Sequence, residues 1–232
     1  MEEKMKEKRV WEIDFVRAVA IICMVIFHLL FDLVEYLNID VPYWDSLIVY
    51  ISNGVVFFMF ISAISSGFSK HPVQRGAIVF TIGMGITVVT YLLMPDVYVR
   101  FGILHFLGVS MMLFPLLKKL NNAVLAGLAV FSLVIGIVFQ DILVDTWVLL
   151  PFGLRHSGFN SIDYYPLFPY LSATILGVIA YKKWYVPKLS VLPFNWDFKT
   201  MRWISKHSLA IYLVHQPIIL GIIYLVNGPF GL

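Results

Sequence analysis

The chain has 232 residues, of which 60% are hydrophobic and 13% are charged, and its mean hydropathy is +0.85. A soluble domain carries about a quarter charged residues, so this composition excludes a soluble protein and indicates a polytopic membrane protein. The net charge of +3 does not indicate a nucleic-acid partner, because the basic residues lie in short loops between apolar runs. Cys23 is the single cysteine, which excludes an internal disulfide and a cysteine metal site.

Seven apolar segments are each long enough, or nearly so, to cross a bilayer. They predict an all-α fold, a polytopic membrane helix bundle with about seven transmembrane helices. We expect residues 1–232 to form a single transmembrane domain, with residues 1–10 as a cytoplasmic N-terminal segment. The predicted spans are Trp11–Tyr36, Ser46–Phe68, Gly76–Met94, Phe101–Leu117, Val124–Gln140, Tyr164–Tyr181 and Ile204–Val226.

The lysines and arginines predict the orientation of these spans. If the N-terminus is cytoplasmic, every Lys and Arg falls in a cytoplasmic segment except Arg17, Arg100 and Arg155. Arg17 then lies within the first helix, and the other two lie on the outer side. Because cytoplasmic loops of membrane proteins are enriched in basic residues, this bias places the N-terminus in the cytoplasm and the C-terminus outside.

The first segment carries a polar stripe along one face. Asp14, Arg17, His28, Asp32 and Glu35 fall within an arc of roughly 60° at about 100° per residue. Asp14 and Asp32 are in phase and about 27 Å apart along the helix axis, so the stripe nearly spans the hydrocarbon. Charges at this depth normally face a bundle interior or a wet cavity. For each charge taken singly, the alternative is an interfacial position near the headgroups.

His28 and Asp32 are the leading candidates for chemistry. His28 lies about one turn inside the outer end of the segment, and Asp32 follows four residues later on the same face. This spacing allows the carboxylate to hold one ring nitrogen and leaves the other nitrogen as a base.

Further polar groups approach the outer side from other segments. His105 and Arg100 lie near the start of the fourth span, His156 in an outer loop and His215 within the seventh span. Each histidine alone can be a polar group satisfied by a neighbouring helix. Together they predict an outer face that holds a polar ligand, either anionic or hydroxylated.

Basic residues crowd the inner connection before the last span. They are Lys182, Lys183, Lys188, Lys199, Arg202 and Lys206. One interpretation is membrane topology with attraction to anionic lipid, worth about 1 kcal/mol per residue. The other is a docking site for a phosphate-bearing donor.

Several segments resemble the membrane acyltransferases of the heparan-alpha-glucosaminide N-acetyltransferase catalytic-domain type, within the wider transmembrane acyltransferase superfamily. The first and last of them are the most specific. They are EIDFVRAVAIICMVIFHLLFDL at 12–33, NGVVFFMFISAISSGFS at 53–69, RFGILHFLGVSMML at 100–113, YYPLFPYLSATILGV at 164–178 and ISKHSLAIYLVHQPII at 204–219.

The resemblance implies that an acyl group, typically acetyl, passes from cytoplasmic acyl-CoA to a hydroxyl or amine of a sugar or glycoconjugate on the outer side. By this likeness His28 is the catalytic base and Asp32 orients it. The residues that match other family motifs are assigned to two further groups. Substrate or oxyanion binding is expected of Arg100, His105, His215 and Gln216, and binding of the acyl-CoA is expected of Asp14, Arg17, Arg202, Lys206 and His207.

The expected partners are therefore the lipid bilayer, acyl-CoA and a glycan acceptor. The expected location is a prokaryotic plasma membrane, and no metal ion is expected.

Seven spans are fewer than the ten or so of the full fold. Three alternatives follow: a minimal version, a cavity completed by homo-oligomerisation, or a relative that has lost catalysis. Two other classes stay open. One is a transporter or scaffold protein, and the other is an intramembrane metal hydrolase that uses His28, Asp32, His105 and His215.

Overall fold

The computed structural model describes residues 10–37, 39–186, 190–194, 196 and 198–228, without the side chains of residues 45 and 49–53. Most of the predicted N-terminal segment, residues 1–9, lies outside the described residues, as does Lys188. Within the described part the chain is helical, with isolated bridges and no strand. The all-α prediction is confirmed.

Eight α-helices follow one another in the described part of the chain. A 3₁₀ turn, Leu150–Phe152, lies between α5 and α6, and a π turn, Tyr181–Tyr185, follows α6. The α-helices are α1 (Trp11–Leu37), α2 (Trp44–Ser66), α3 (Pro72–Leu93), α4 (Ile103–Lys119), α5 (Asn122–Phe139), α6 (Leu167–Ala180), α7 (Lys199–Lys206) and α8 (Ser208–Asn227).

Four of these helices are long and apolar enough to cross a membrane, namely α1, α3, α5 and α8. Together with the hydrophobic composition they indicate an integral membrane protein. Helix α2 contains a shorter apolar stretch, Gly54–Ser66. The helices coincide with the seven predicted spans in position, but crossing by all seven stays a prediction.

The last predicted span is divided in the structure. The apolar pattern predicted one helix from Ile204 onward, whereas the helix breaks at His207, whose φ and ψ are −101° and 15°. The His207 ring nitrogen Nδ1 lies 2.8 Å from the Trp203 carbonyl oxygen. The break separates the basic, polar α7 from the apolar α8, so a change in composition marks it.

The described residues form two compact units. The terminal unit contains residues 1–58 and 188–232, with α1, α7, α8 and the first part of α2. The central unit contains residues 59–187, with the rest of α2 and helices α3 to α6. Each unit is described by itself below.

In the terminal unit, α1 packs against α7 and α8. The segment before α7 is fastened to the start of α1 by Glu12, whose carboxylate accepts hydrogen bonds from Val191 N and Ser190 Oγ, both at 2.8 Å. The Trp11 ring adds a contact with Phe194, with centroids 5.5 Å apart. Helix α7 is thereby held beside the first turns of α1.

In the central unit, α3 packs on α4, and α5 packs on α6. Two glycines permit the close approach of α3 and α4. A Cβ added at Gly76 would lie 2.6 Å from the Gly108 carbonyl oxygen, and a Cβ at Gly108 would lie 2.8 Å from the Gly76 carbonyl oxygen. Only residues without a side chain fit this crossing.

Candidate functional site

The N-terminal half of the α1 stripe is bonded to α7 and α8. Ser205 Oγ donates to Asp14 Oδ1 at 2.7 Å, and Arg17 Nη2 donates to Ser208 Oγ at 3.0 Å. Asp14 and Arg17 are three residues apart in α1, and their partners Ser205 and Ser208 are three residues apart across the break between α7 and α8. Ser205 was not predicted as a site residue. Its spacing to Ser208, equal to that of Asp14 and Arg17, was the available signal.

The outer half of the stripe brings four predicted residues together. The rings of His28 and His215 meet edge to face, with centroids 4.8 Å apart and an interplanar angle of 72°. One helical turn further along α1, the Asp32 carboxylate accepts from Gln216 Nε2, with distances of 3.1 and 2.9 Å to its two oxygens. Asp32 is 1% exposed and His215 is 8% exposed. We call these four residues the outer cluster.

The hydrogen bond of His28 differs from the expected one. The sequence predicted that Asp32 would hold a ring nitrogen of His28, whereas His28 Nδ1 lies 2.9 Å from the Met24 carbonyl oxygen. A carbonyl only accepts, so Nδ1 carries the hydrogen and Nε2 of the neutral ring has a lone pair. Asp32 still interacts electrostatically with His28.

His105, in the central unit, has both ring nitrogens engaged. Nδ1 accepts from Gly102 N at 3.2 Å, and Nε2 lies 3.3 Å from Thr87 Oγ1. The side chain is 1% exposed, and Gly83 leaves the room that the ring occupies. This geometry ties the start of α4 to α3 and favours a structural role.

Arg100 is bonded to the loop of the same unit that contains His156. Its Nη1 lies 2.9 Å from His156 Nε2, and its guanidinium lies 4.6 Å from the Tyr98 ring centroid. His156 Nδ1 lies 2.8 Å from the Ser157 carbonyl oxygen, so the neutral His156 ring donates there and accepts from Arg100.

Asp163 joins this loop to the N-terminus of α4. Its Oδ2 accepts from Ile103 N at 3.0 Å, and a Cβ at Gly102 would collide with that oxygen. Desolvation raises the pKa of the Asp163 carboxyl to about 6, although the hydrogen bond from Ile103 favours the charged form.

The remaining predicted donor-site residues lie on α7. Lys199, Arg202, Trp203 and Lys206 line one concave surface, and Trp203 is 58% exposed. We call this surface the basic face of α7. Lys199 was one of the basic residues noted in the sequence. Trp203 was not singled out there, although its spacing to Lys206 on one helical face was readable. His207 packs on Trp203, with ring centroids 4.5 Å apart.

In the described part of the chain, no group of three His, Cys, Asp or Glu side chains is placed to hold a metal ion. The structure therefore gives the metal-hydrolase alternative no support there.

Comparison with curated proteins and with solved structures gives no match. A family model described as "Heparan-alpha-glucosaminide N-acetyltransferase, catalytic" matches residues 9–217, which confirms the resemblance seen in the sequence. The match includes α1, the basic face of α7 and all four residues of the outer cluster. The chain therefore belongs to the family of the heparan-alpha-glucosaminide N-acetyltransferase catalytic domain.

Proposed function

We propose that this protein is a membrane acyltransferase. It moves an acyl group, in the first instance acetyl, from acyl-CoA on the cytoplasmic side to a hydroxyl or amine of a sugar or glycoconjugate on the outer side. The observation that carries this proposal is the bond between His28 Nδ1 and the Met24 carbonyl, which leaves His28 Nε2 as a base beside His215.

His28 Nε2 removes the proton from the acceptor hydroxyl or amine as the acceptor oxygen or nitrogen attacks the thioester carbonyl carbon. A bond forms from the acceptor atom to that carbon. The carbon–sulfur bond then breaks, and the thiolate of CoA takes up the proton from the His28 imidazolium. The net products are the acylated acceptor and free CoA.

Asp32 stabilises the imidazolium that forms at His28. The carboxylate is buried, is held by Gln216 and interacts electrostatically with the His28 ring. A fixed negative charge in a dry site favours the protonated ring more strongly than it would in water. Asp32 therefore acts through charge, and the Met24 carbonyl orients the ring.

The basic face of α7 binds the phosphates of acyl-CoA. Lys206 and Lys199 are exposed, and Arg202 is half-buried beside them. Asp14 and Arg17 do not need to contact the CoA, because their bonds to Ser205 and Ser208 fix α7 and the start of α8 against α1. We assign Asp14 and Arg17 a positioning role.

The contacts within the terminal unit support opposite sides for the two chain ends. The start of α8 meets α1 at Arg17, and Gln216, later in α8, meets α1 at Asp32. The two helices therefore run in the same direction. If both cross the prokaryotic plasma membrane, the number of crossings is odd, as in a seven-span topology with a cytoplasmic N-terminus.

Arg100 and His105 are left out of the proposed chemistry. Their side chains are bonded to groups of the central unit, in the ways described above. Arg100 stabilises the loop that contains His156, and His105 stabilises the start of α4.

The proposal is tested in proteoliposomes that contain the purified protein, with acetyl-CoA on one side and a methyl glucosaminide on the other. We expect acetylated sugar on the side opposite to the donor and free CoA on the donor side, and no product with His28→Ala. Product that appears only when donor and acceptor share a side would overturn the transmembrane transfer. Full activity of His28→Ala would overturn the role of the base.

A further inference from the structure

Aromatic side chains collect at the N-terminal end of α1. The centroid of the Trp11 ring lies 5.5 Å from that of Phe194 and 6.3 Å from that of Trp196. The rings of Phe194 and Trp196 are 5.1 Å apart, and the Phe198 ring lies 6.4 Å from the rings of Trp196 and Phe15. We call these five residues the aromatic cluster.

The aromatic cluster is only partly covered by protein. Phe194, Trp196 and Phe198 are 45%, 58% and 52% exposed, and the neighbouring side chains of Val191 and Leu192 are exposed as well. Rings that formed a core would be buried. A contiguous exposed apolar patch of this kind normally marks a surface that contacts a partner or a membrane.

The aromatic cluster continues an apolar stripe on the surface of α1. Val19, Ile26 and Leu29 of this stripe are exposed. At about 100° per residue they lie within an arc of about 80° that also includes Trp11 and Phe15. Because α1 is long and apolar enough to cross a membrane, lipid accounts for the exposure of the stripe. The same lipid then meets the aromatic cluster at the end of the stripe.

The length of α1 places the aromatic cluster at the membrane surface. The helix has 27 residues. It is therefore about 40 Å long, whereas the hydrocarbon core of a bilayer is about 30 Å thick. The terminal turns consequently lie among the lipid headgroups, where tryptophan is enriched. Lys199, which directly follows Phe198, is exposed and suits this hydrated layer.

The chain before the exposed rings is already fixed to α1. The Glu12 carboxylate accepts hydrogen bonds from Ser190 Oγ and Val191 N. These bonds hold the following residues beside the first turn of the helix. Contact with lipid therefore does not require this part of the chain to be ordered first, which lowers the free-energy cost of the contact.

We propose that Phe194, Trp196 and Phe198 form an interfacial anchor. Their rings insert between the headgroups and the upper acyl chains of the phospholipid leaflet at the N-terminal end of α1, and the partner is the lipid surface itself. This depth suits the Trp196 ring, because its apolar body leaves water while its N–H still reaches lipid oxygens. The inference does not depend on acyl transfer and would stand if the proposed function failed.

Spin labels test the depth of this anchor in the full chain. In a Cys23→Ser background, Val191→Cys and Trp196→Cys would each carry one nitroxide, in vesicles of phosphatidylcholine and phosphatidylglycerol. Collision rates with oxygen, which concentrates in the acyl chains, would be compared with those for a water-soluble nickel chelate. Labels at Val19 and Lys206 provide the lipid-facing and water-facing references.

The ratio of the oxygen rate to the nickel rate is the measured quantity. We expect this ratio at positions 191 and 196 to lie between the two references and at least about threefold above that at Lys206. A ratio equal to that at Lys206 would place the rings in water and overturn the inference. Slow collisions with both reagents would mean that protein covers the patch, such as a second copy of the chain, and would also overturn it. Elution volume and melting temperature show that each labelled protein is folded, and Val191 lies outside the aromatic cluster, so its label leaves the ring contacts intact.

A measurement without a label provides the second arm. Tryptophan fluorescence would be recorded in vesicles whose lipids carry bromine either near the headgroup end of the acyl chain or near its terminus. Trp196→Phe keeps an aromatic ring but removes the fluorophore. We expect bromine near the headgroups to quench less intensity in Trp196→Phe than in wild type, and bromine at the chain terminus to quench both proteins alike. Equal quenching of the two proteins by the bromine near the headgroups would overturn the inference.

Discussion

Two histidines of the central unit and two of the terminal unit differ in how their ring nitrogens are bonded. In the central unit His105 and His156 have both ring nitrogens bonded to groups of the same unit. In the terminal unit His28 and His215 each donate through Nδ1 to a carbonyl in the preceding turn of their own helix. Neither Nε2 has a hydrogen bond to a residue that the structure describes.

Histidines that look alike in the sequence are distinguished by how many of their ring nitrogens are bonded. A ring with both nitrogens satisfied contributes to stability and has no lone pair left for chemistry. A ring fixed through one nitrogen is oriented and keeps a base. The contrast is consistent with the chemistry proposed for the terminal unit and favours a structural role for His105 and His156.

The largest stability effect is expected at His105. Replacing His105 with Ala removes two hydrogen bonds and leaves a cavity between α3 and α4, so we expect a loss of about 2–4 kcal/mol in the free energy of unfolding. Thermal melting in detergent measures it. His28→Ala is the matched control and should melt close to the wild type. Equal destabilisation by His105→Ala and His28→Ala would contradict the distinction between a structural His105 and a His28 that is not needed for stability.

A smaller effect is expected at Asp32. Asp32→Asn keeps the size and a hydrogen-bond acceptor but removes the charge that stabilises the imidazolium. We expect kcat to fall about tenfold or more, which corresponds to about 1.4 kcal/mol or more in the barrier. The melting temperature should change little. An unchanged kcat would show that Asp32 serves only to hold Gln216.

Asp163 offers a test in the central unit through pH. Its folded pKa of about 6 lies above the ordinary value of 3.8, so the folded chain binds this proton more tightly than the unfolded chain. The stabilising contribution is complete below pH 3.8 and is lost as the pH rises through 6. Relative to Asp163→Asn, the wild type should therefore gain stability, on the order of 1 kcal/mol, between pH 7 and pH 5. If the melting temperatures of wild type and Asp163→Asn changed by the same amount between pH 7 and pH 5, the raised pKa of Asp163 would be contradicted.

The smallest effect concerns the basic face of α7. Lys206 is exposed, so Lys206→Ala should raise KM for acetyl-CoA by only about two- to fivefold. KM for acetyl-pantetheine, which lacks the nucleotide phosphates, should not change. A similar rise in the KM values for acetyl-CoA and acetyl-pantetheine would show that Lys206 does not bind the nucleotide phosphates.

The sequence was sufficient to locate the helical segments but not to predict which helices pack against one another. Apolar run lengths located the helical segments, because burial in lipid or protein demands an unbroken apolar stretch. The break at His207 was missed because only Lys206 and His207 separate Ile204 and Ser205 from the start of α8, so the apolar pattern was extended back to Ile204. The basic face of α7 was the local signal for a separate helix. The position of that helix depends on the bonds of Ser205 and Ser208 to Asp14 and Arg17.

The outer cluster shows a second limit of prediction from the sequence, namely the choice of hydrogen-bond partners. His28 has two candidates within its own helix, the Met24 carbonyl and the Asp32 carboxylate, and the sequence spacing suits either. Gln216, 184 positions from Asp32, takes the carboxylate and so leaves His28 to the carbonyl. Such a choice is made by packing between distant segments, which no local pattern records.

The most direct test of the account compares one histidine from each unit in one assay. The rate of CoA release from acetyl-CoA, with trans-2-aminocyclohexanol as acceptor, would be measured for wild type, His28→Ala and His156→Ala. We predict a loss of about 10²- to 10⁴-fold for His28→Ala, as expected for a general base, and a rate within about threefold of wild type for His156→Ala. Equal rates for the two variants, with both proteins folded, would contradict the claim that His28 Nε2 acts as the base.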